Sequence, residues 1–375
     1  AQRVLSISLS QQQQSDSLIA LVKSLYEQSE SIEQYQHVLF ANLAEFLVEK
    51  DLKLDAEQTY LNFIDYRPSS MWSPRFSLAL LNLYQQQGNH PAVRALKETF
   101  VNDYGLESQF WQAHEEGEQV ELLPHLLAFS LQHARRLYAN AQLAQQPDVP
   151  QRLNADASEQ DAAHMESKTK DMSKSEQYAQ AATWFARYLA LTEQPLASEF
   201  IQSDTFEQAF CYADASFESA AYFQALATYQ AIGFDGKYVP NQRTMSEDGA
   251  LSSETYQRYE VLAVDAAYAA TLTTRKILST TAANTSMHKQ IVLLRNDLDK
   301  RFVEEHAQDT RALDIATQAA QYSFASDYTE QSHWFSDFVL DTLSAQNFAV
   351  NDAIAIIPNA QNTYRFRAEP RHDLT

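Results

Sequence analysis

Between Phe40 and Pro68 the apolar residues fall in a pattern that predicts two helices and a stop. Phe40, Leu43, Ala44 and Leu47 sit at i, i+3, i+4 and i+7, which is one stripe of an α-helix. Ala56, Tyr60 and Phe63 repeat that spacing on a second helix, with small Ala56 where two backbones can come close. Pro68 has no N–H and drives its predecessor out of the helical region, so it ends the second helix. Neither short helix can bury its stripe alone. The pattern therefore calls for neighbours stacked on both sides.

Fainter copies follow. Leu80, Leu81 and Tyr84 take the places of Leu43, Ala44 and Leu47; Gly88 falls at the turn, and Val93 and Phe100 answer to Ala56 and Phe63. Lys97 replaces the aromatic Tyr60, so this copy is degraded. A longer helix is predicted over 119–145, with Leu123, Leu127, Leu131, Ala134 and Tyr138 on one side. Tyr178, Ala181, Phe185 and Tyr188 resemble a second helix of the unit. A clearer copy carries Tyr212 and Ala213 on its first helix and Tyr222, Ala225, Tyr229 and Ile232 on its second. The last uses Ile315, Ala319 and Tyr322, then Tyr328, Phe335 and Phe338.

The divisions expected from this pass are a polar N-terminal segment with a short helix capped by Asp16 (1–30) and a first set of repeats (31–145). A polar insertion (146–175), a second set (176–345) and a tail (346–375) follow. The insertion holds almost no bulky apolar residue, so it is expected to be a mobile loop between the two helices of one repeat. A boundary between two domains is the competing account.

The residues Phe40, Leu43, Ala44, Leu47, Ala56, Tyr60, Phe63 and Pro68 resemble the packing positions of a tetratricopeptide repeat, a unit of about 34 residues. Ala44 and Asp51 stand where that family often has glycine. Units near 37–68, 74–103, 206–233 and 312–340 align with it, and a fifth is implied across the insertion. The resemblance implies an all-α fold, an α-solenoid in which helix–turn–helix repeats wind into a right-handed superhelix. Other two-helix solenoids are the alternative. The stretches around Phe185-Ala-Arg-Tyr-Leu and 217–229 look like extracytoplasmic bacterial proteins of this class, which hold other proteins together in envelope assembly, secretion or motility.

Composition narrows the choices. With 6 Gly and 10 Pro in 375 residues, a turn-rich β protein and glycine-rich phosphate loops are disfavoured, and long helices are favoured. A formal charge of -21 disfavours binding to nucleic acid or an anionic membrane, and it suits a basic or neutral protein or peptide partner. The same acidity also serves solubility. No run of about 18 apolar residues is present, so no transmembrane helix is expected. The start at Ala1-Gln2 reads either as a mature end after signal cleavage or as a cut in a longer chain. A periplasmic or otherwise exported protein is the expectation, with the cytoplasm as the alternative. The repeats stop where another could stack, so terminal self-association is a further expectation.

No chemical motif stands out. His125 and His133 share a helix face but lack the spacing of a zinc site, and Asp297 and Asp299 begin like a calcium loop that no glycine or glutamate completes. Cys211, the single cysteine, lies between Phe210 and Tyr212 and reads as a packing thiol. No catalytic residue, metal ligand or cofactor is therefore assigned. The expected binding face lies on the first helix of each repeat, at positions that internal packing leaves over. These are Val38, Ala41, Glu45 and Glu49; then Arg75, Leu78, Asn82 and Gln86; then Glu207, Phe210, Asp214, Phe217 and Glu218. Carboxylates would attract Lys or Arg of an extended peptide, amides would bond its backbone, and Leu78 and Phe217 would anchor apolar groups. The expected function is a non-catalytic scaffold. The alternative is a helical-array enzyme or carbohydrate-binding protein with carboxylates gathered in a cleft.

Overall fold

The computed structural model describes residues 35–143, 173–199, 205–239, 253–283, 285–326, 328–345, 355–358 and 364–367. The expected helix at 16–28, the insertion up to residue 172 and most of the tail lie outside them. Among the described residues the protein is helical almost throughout, with thirteen α-helices. Within the tail, β1 (Ala355–Pro358) pairs antiparallel with β2 (Tyr364–Arg367), setting Ile356 opposite Phe366. The chain divides into two compact units, Ala1–Ile201 and Gln202–Thr375.

In the first unit the helices are α1 (Gln36–Glu49), α2 (Lys53–Tyr66), α3 (Trp72–Gln86), α4 (His90–Tyr104), α5 (Gln109–Ala113), α6 (Glu116–Leu143) and α7 (Lys174–Thr192). The five longer neighbouring pairs pack in sequence order, with short α5 lying beside α4. Phe40, Leu43, Ala44, Leu47, Ala56, Tyr60 and Phe63 are all buried in one core with Phe76, Leu80 and Leu83 of α3. Phe63 is the joint. Its ring meets Phe40 edge-on at 5.2 Å within its own pair and Phe76 at 4.5 Å in the next. This is how one pair covers the stripe of another. Lys97, which stands where the first unit has Tyr60, sets its ammonium over the Phe129 ring at 5.2 Å and donates to Gln132 Oε1 at 2.6 Å. The two helices flanking the insertion, α6 and α7, pack along each other. Tyr138 meets Tyr178 and Phe185, and a Ser173–Glu176 capping box starts α7. Thus α7 belongs with the helices before it, and the division between units falls after it.

The second unit holds α8 (Thr205–Glu218), α9 (Tyr222–Gly233), α10 (Ser253–Thr280), α11 (Ser286–Glu305), α12 (Ala312–Ala325) and α13 (Thr329–Ala345), again packed in order. Its main core joins Ala267, Phe302 and Val303 to Ile315, Ala316, Ala319, Phe335, Val339 and Leu343. The end of α9 is tied down from two sides, by Tyr259 Oη donating to Ile232 O and Arg301 Nη2 donating to Phe234 O. Between α10 and α11, fully buried Asp299 accepts from Arg275 Nη2 at 3.1 Å and from Arg295 Nε at 3.4 Å. Arg295 also lies over the Tyr322 ring at 3.8 Å. Burial pushes the Asp299 pKa up, against the pull of both guanidinium groups.

One turn recurs. Between α1 and α2, Leu52 N donates to Leu47 O and Asp51 N to Val48 O, with Asp51 at φ 61°. Between α3 and α4, Asn89 N donates to Tyr84 O and Gly88 N to Gln85 O, with Gly88 at φ 66°. Between α8 and α9, Ala221 N donates to Ser216 O and Ala220 N to Phe217 O, with Ala220 at φ 66°. These are the same left-handed helix-ending turn. They fall in one register with the small pair Ala44 and Ala56, the pair Leu81 and Val93, and the pair Ala213 and Ala225. The long bond of that turn appears a fourth time, from Tyr328 N to Ser323 O. It corrects the register expected for α13, where Ser332 takes the small position and donates to Ala320 O at 3.1 Å. Tyr328, expected to pack, is only half-buried; Phe338, also half-buried, packs against the core in which Phe335 and Val339 are buried.

Candidate functional site

Consecutive pairing gives each unit a row of first helices, α1, α3 and α6 in one and α8, α10 and α12 in the other. Side chains cross-link each row. In the first unit His37 stacks on Trp72 at 3.8 Å, and Arg75 lies over the same indole at 4.4 Å. Arg75 then reaches α6, donating through Nη2 to both oxygens of Glu121 at 2.7 and 3.1 Å. Burial, then the charge of Arg75, lower the His37 pKa. In the second unit Arg258 of α10 pairs with Glu207 of α8 at 2.8 Å. Arg311, at the start of α12, pairs with Asp265 of α10 at 2.8 Å and with Asp309 beside it.

Two residues expected to face a partner are thus engaged across the row, Arg75 by Glu121 and Glu207 by Arg258. Their partners lie 46 and 51 positions away in sequence and leave no local signal. Glu45, Glu49, Asn82 and Gln86 are exposed on α1 and α3, and Leu78 is half-buried. Val38 is half-buried, and Ala41 packs against the core. On α8, Phe210 meets the Tyr229 ring at 5.5 Å and Phe217 meets Tyr222 at 5.3 Å, so both brace α9. Asp214 and Glu218 are half-buried beside Tyr229, whose pKa is raised by burial and then by their charges. Cys211, expected to be buried, is half-buried. The expected face therefore splits. Glu45, Glu49, Asn82 and Gln86 form its open part, and the α8 positions are largely taken up by packing.

The two histidines that share a face of α6 are held by rings. His125 packs near Phe100 and Phe129, and His133 against Trp184 at 4.2 Å. Among the described residues no three of His, Cys, Asp and Glu converge as a metal site. No helix there is long and apolar enough to cross a membrane. The sequence matches no known protein family, and no curated protein is detectably similar to it.

Proposed function

We propose that the protein is a non-catalytic scaffold, an α-solenoid of tetratricopeptide-like repeats in a right-handed superhelix, that binds a protein or peptide on its first-helix surface. The observation that carries this reading is the turn repeated between α1 and α2, α3 and α4, and α8 and α9, in one register with the packing pairs Ala44 and Ala56, Leu81 and Val93, and Ala213 and Ala225. Equivalent turns set equivalent helix pairs, and such pairs stack into an extended surface. On that surface Glu45 and Glu49 favour a basic segment, and Asn82 and Gln86 offer both donors and acceptors to an extended backbone. Placement in a bacterial envelope rests only on the likeness of the stretches around Phe185 and 217–229 to extracytoplasmic repeat proteins.

A photo-crosslinking residue at Gln86 should capture a partner that the same residue at Asp65, on the second helix of a pair, does not. Replacing Glu45 and Glu49 together by Lys should weaken capture by about tenfold or more, with greater loss at low salt. Equal capture from both positions, or capture indifferent to the charge reversal, would count against the reading.

A further inference from the structure

In the second unit an open groove of about 420 Å³ lies between two first helices, α8 and the start of α10. Phe206 of α8, only 1% exposed, forms its floor, and Val261 and Leu262 of α10 stand beside it. That floor is fixed. Phe206 meets the Tyr259 ring edge-on at 5.5 Å, and Tyr259 Oη is tied to Ile232 O. Val261 is 65% exposed, so its branched side chain stands in water beside the groove. Because the α8 positions expected to face a partner brace α9 instead, this stripe of α10 is the open part of the second unit's first-helix surface.

Ion pairs bound the apolar stretch on both sides. Arg258 pairs with Glu207 of α8 one turn before Val261, and Asp265 pairs with Arg311 of α12 one turn after it. From Arg258 to Asp265 is about 10 Å of helix, a window for one large side chain. A small apolar centre inside a rim of paired charges is the arrangement of a binding hot spot, where the rim keeps water from the centre. Glu254, one turn before Arg258, lines the same groove, is exposed, and bonds to no other described residue. The charges choose the occupant. A second copy of the chain would bring its own net charge of -21 against that carboxylate, whereas a Lys or Arg supplies the missing counter-charge. Val261 and Glu254 are about 10 Å apart along α10. In an extended segment, side chains two positions apart point the same way and are separated by about 7 Å, a gap that the stem of a Lys or Arg completes.

We propose that this groove is the partner's anchor point on the second unit. It takes one bulky apolar side chain of an extended protein segment, and a Lys or Arg two positions from that side chain reaches Glu254. The inference rests on the scaffold reading and gives the segment that is recognised a definite chemistry.

The test uses the full chain and capped tripeptides: Phe-Gly-Lys and Lys-Gly-Phe, each with one counterpart that has Gln for Lys and one that has Ala for Phe. The methyl resonances lost in Val261→Thr report the place, and their titration gives the affinity. At least one of the two orders should shift them, binding about threefold tighter than its Gln counterpart and about tenfold or more tighter than its Ala counterpart. Glu254→Gln should erase the preference for Lys over Gln and leave the preference for Phe over Ala. Val261→Asn, a change at an exposed position that leaves the helical spectrum intact, should weaken both Phe probes by about fivefold or more. No shift with any probe up to about 10 mM, equal binding of the Phe and Ala probes, or affinities unchanged in both variants would overturn the proposal. Partner capture at Gln86 without any response at Val261 would strike this inference alone, and loss of both would strike the scaffold reading with it.

Discussion

Three residues carry more consequence than their size suggests. Ala220 holds the left-handed conformation that Gly88 holds in an equivalent turn. A Cβ makes that conformation unfavourable, so Ala220→Gly should stabilise the second unit by about 0.5–1 kcal/mol and Gly88→Ala should destabilise the first by a similar amount, both read by urea unfolding. Asp299 is the one carboxylate held between Arg275 and Arg295 in a buried place. Asp299→Ala leaves two guanidinium groups without their counter-charge and should cost about 3–5 kcal/mol by the same measurement. His133 is buried against Trp184, with Arg136 and Arg187 close by, and its pKa is lowered to about 4 by burial first and those charges second. Unfolded, it takes its proton near 6.5. Between those values the unfolded chain binds more protons than the native one. Stability should therefore fall as pH drops from about 6.5 to about 4 and level off below, by about 1–2 kcal/mol once screening at the partly open rim is allowed for. His133→Gln should remove that part of the slope.

At the scale of elements, the paired helices were legible wherever large and small residues alternate with strong contrast. The stripe Phe40, Leu43, Ala44, Leu47 and its partners Ala56, Tyr60 and Phe63 are buried where the spacing put them. In α13 the contrast misleads. Tyr328 and Phe338 outweigh Ser332 in any reading by hydrophobicity, yet a hydroxyl that bonds Ala320 O can take the small position. The binding face was legible only in part, for a different reason. Helical phase tells which side of α3 or α8 Arg75 and Glu207 occupy. It cannot tell that Glu121 or Arg258, on a later helix, will claim them. The stacking of His37 on Trp72 left no sequence signal, because His37 looks like a polar residue at a helix start until Trp72 stands next to it.

At the scale of the whole molecule, helices that touch mainly their neighbours in sequence should lose order locally. Phe63→Ala removes the ring that joins α1, α2 and α3, a change that costs about 3–5 kcal/mol in a packed core. Hydrogen exchange should then quicken throughout α1, α2 and α3, less in α6 and α7, and not in α8 to α13. Equal quickening across both units would mean that the chain unfolds as one cooperative body.

Gly233 closes α9 where that helix comes closest to α10. A Cβ placed there would fall inside the van der Waals boundary of the Ala267 backbone nitrogen and 2.9 Å from Ala263 O. With main chain pressed on main chain, and Tyr259 and Arg301 fastening the carbonyls of Ile232 and Phe234 on either side, this junction has no slack in which to bend. Under a stretching force the second unit should yield elsewhere first, and α9 should then part from α10 in a single abrupt step. A single-molecule pulling trace would record that step, and with Gly233→Ala it should come at lower force.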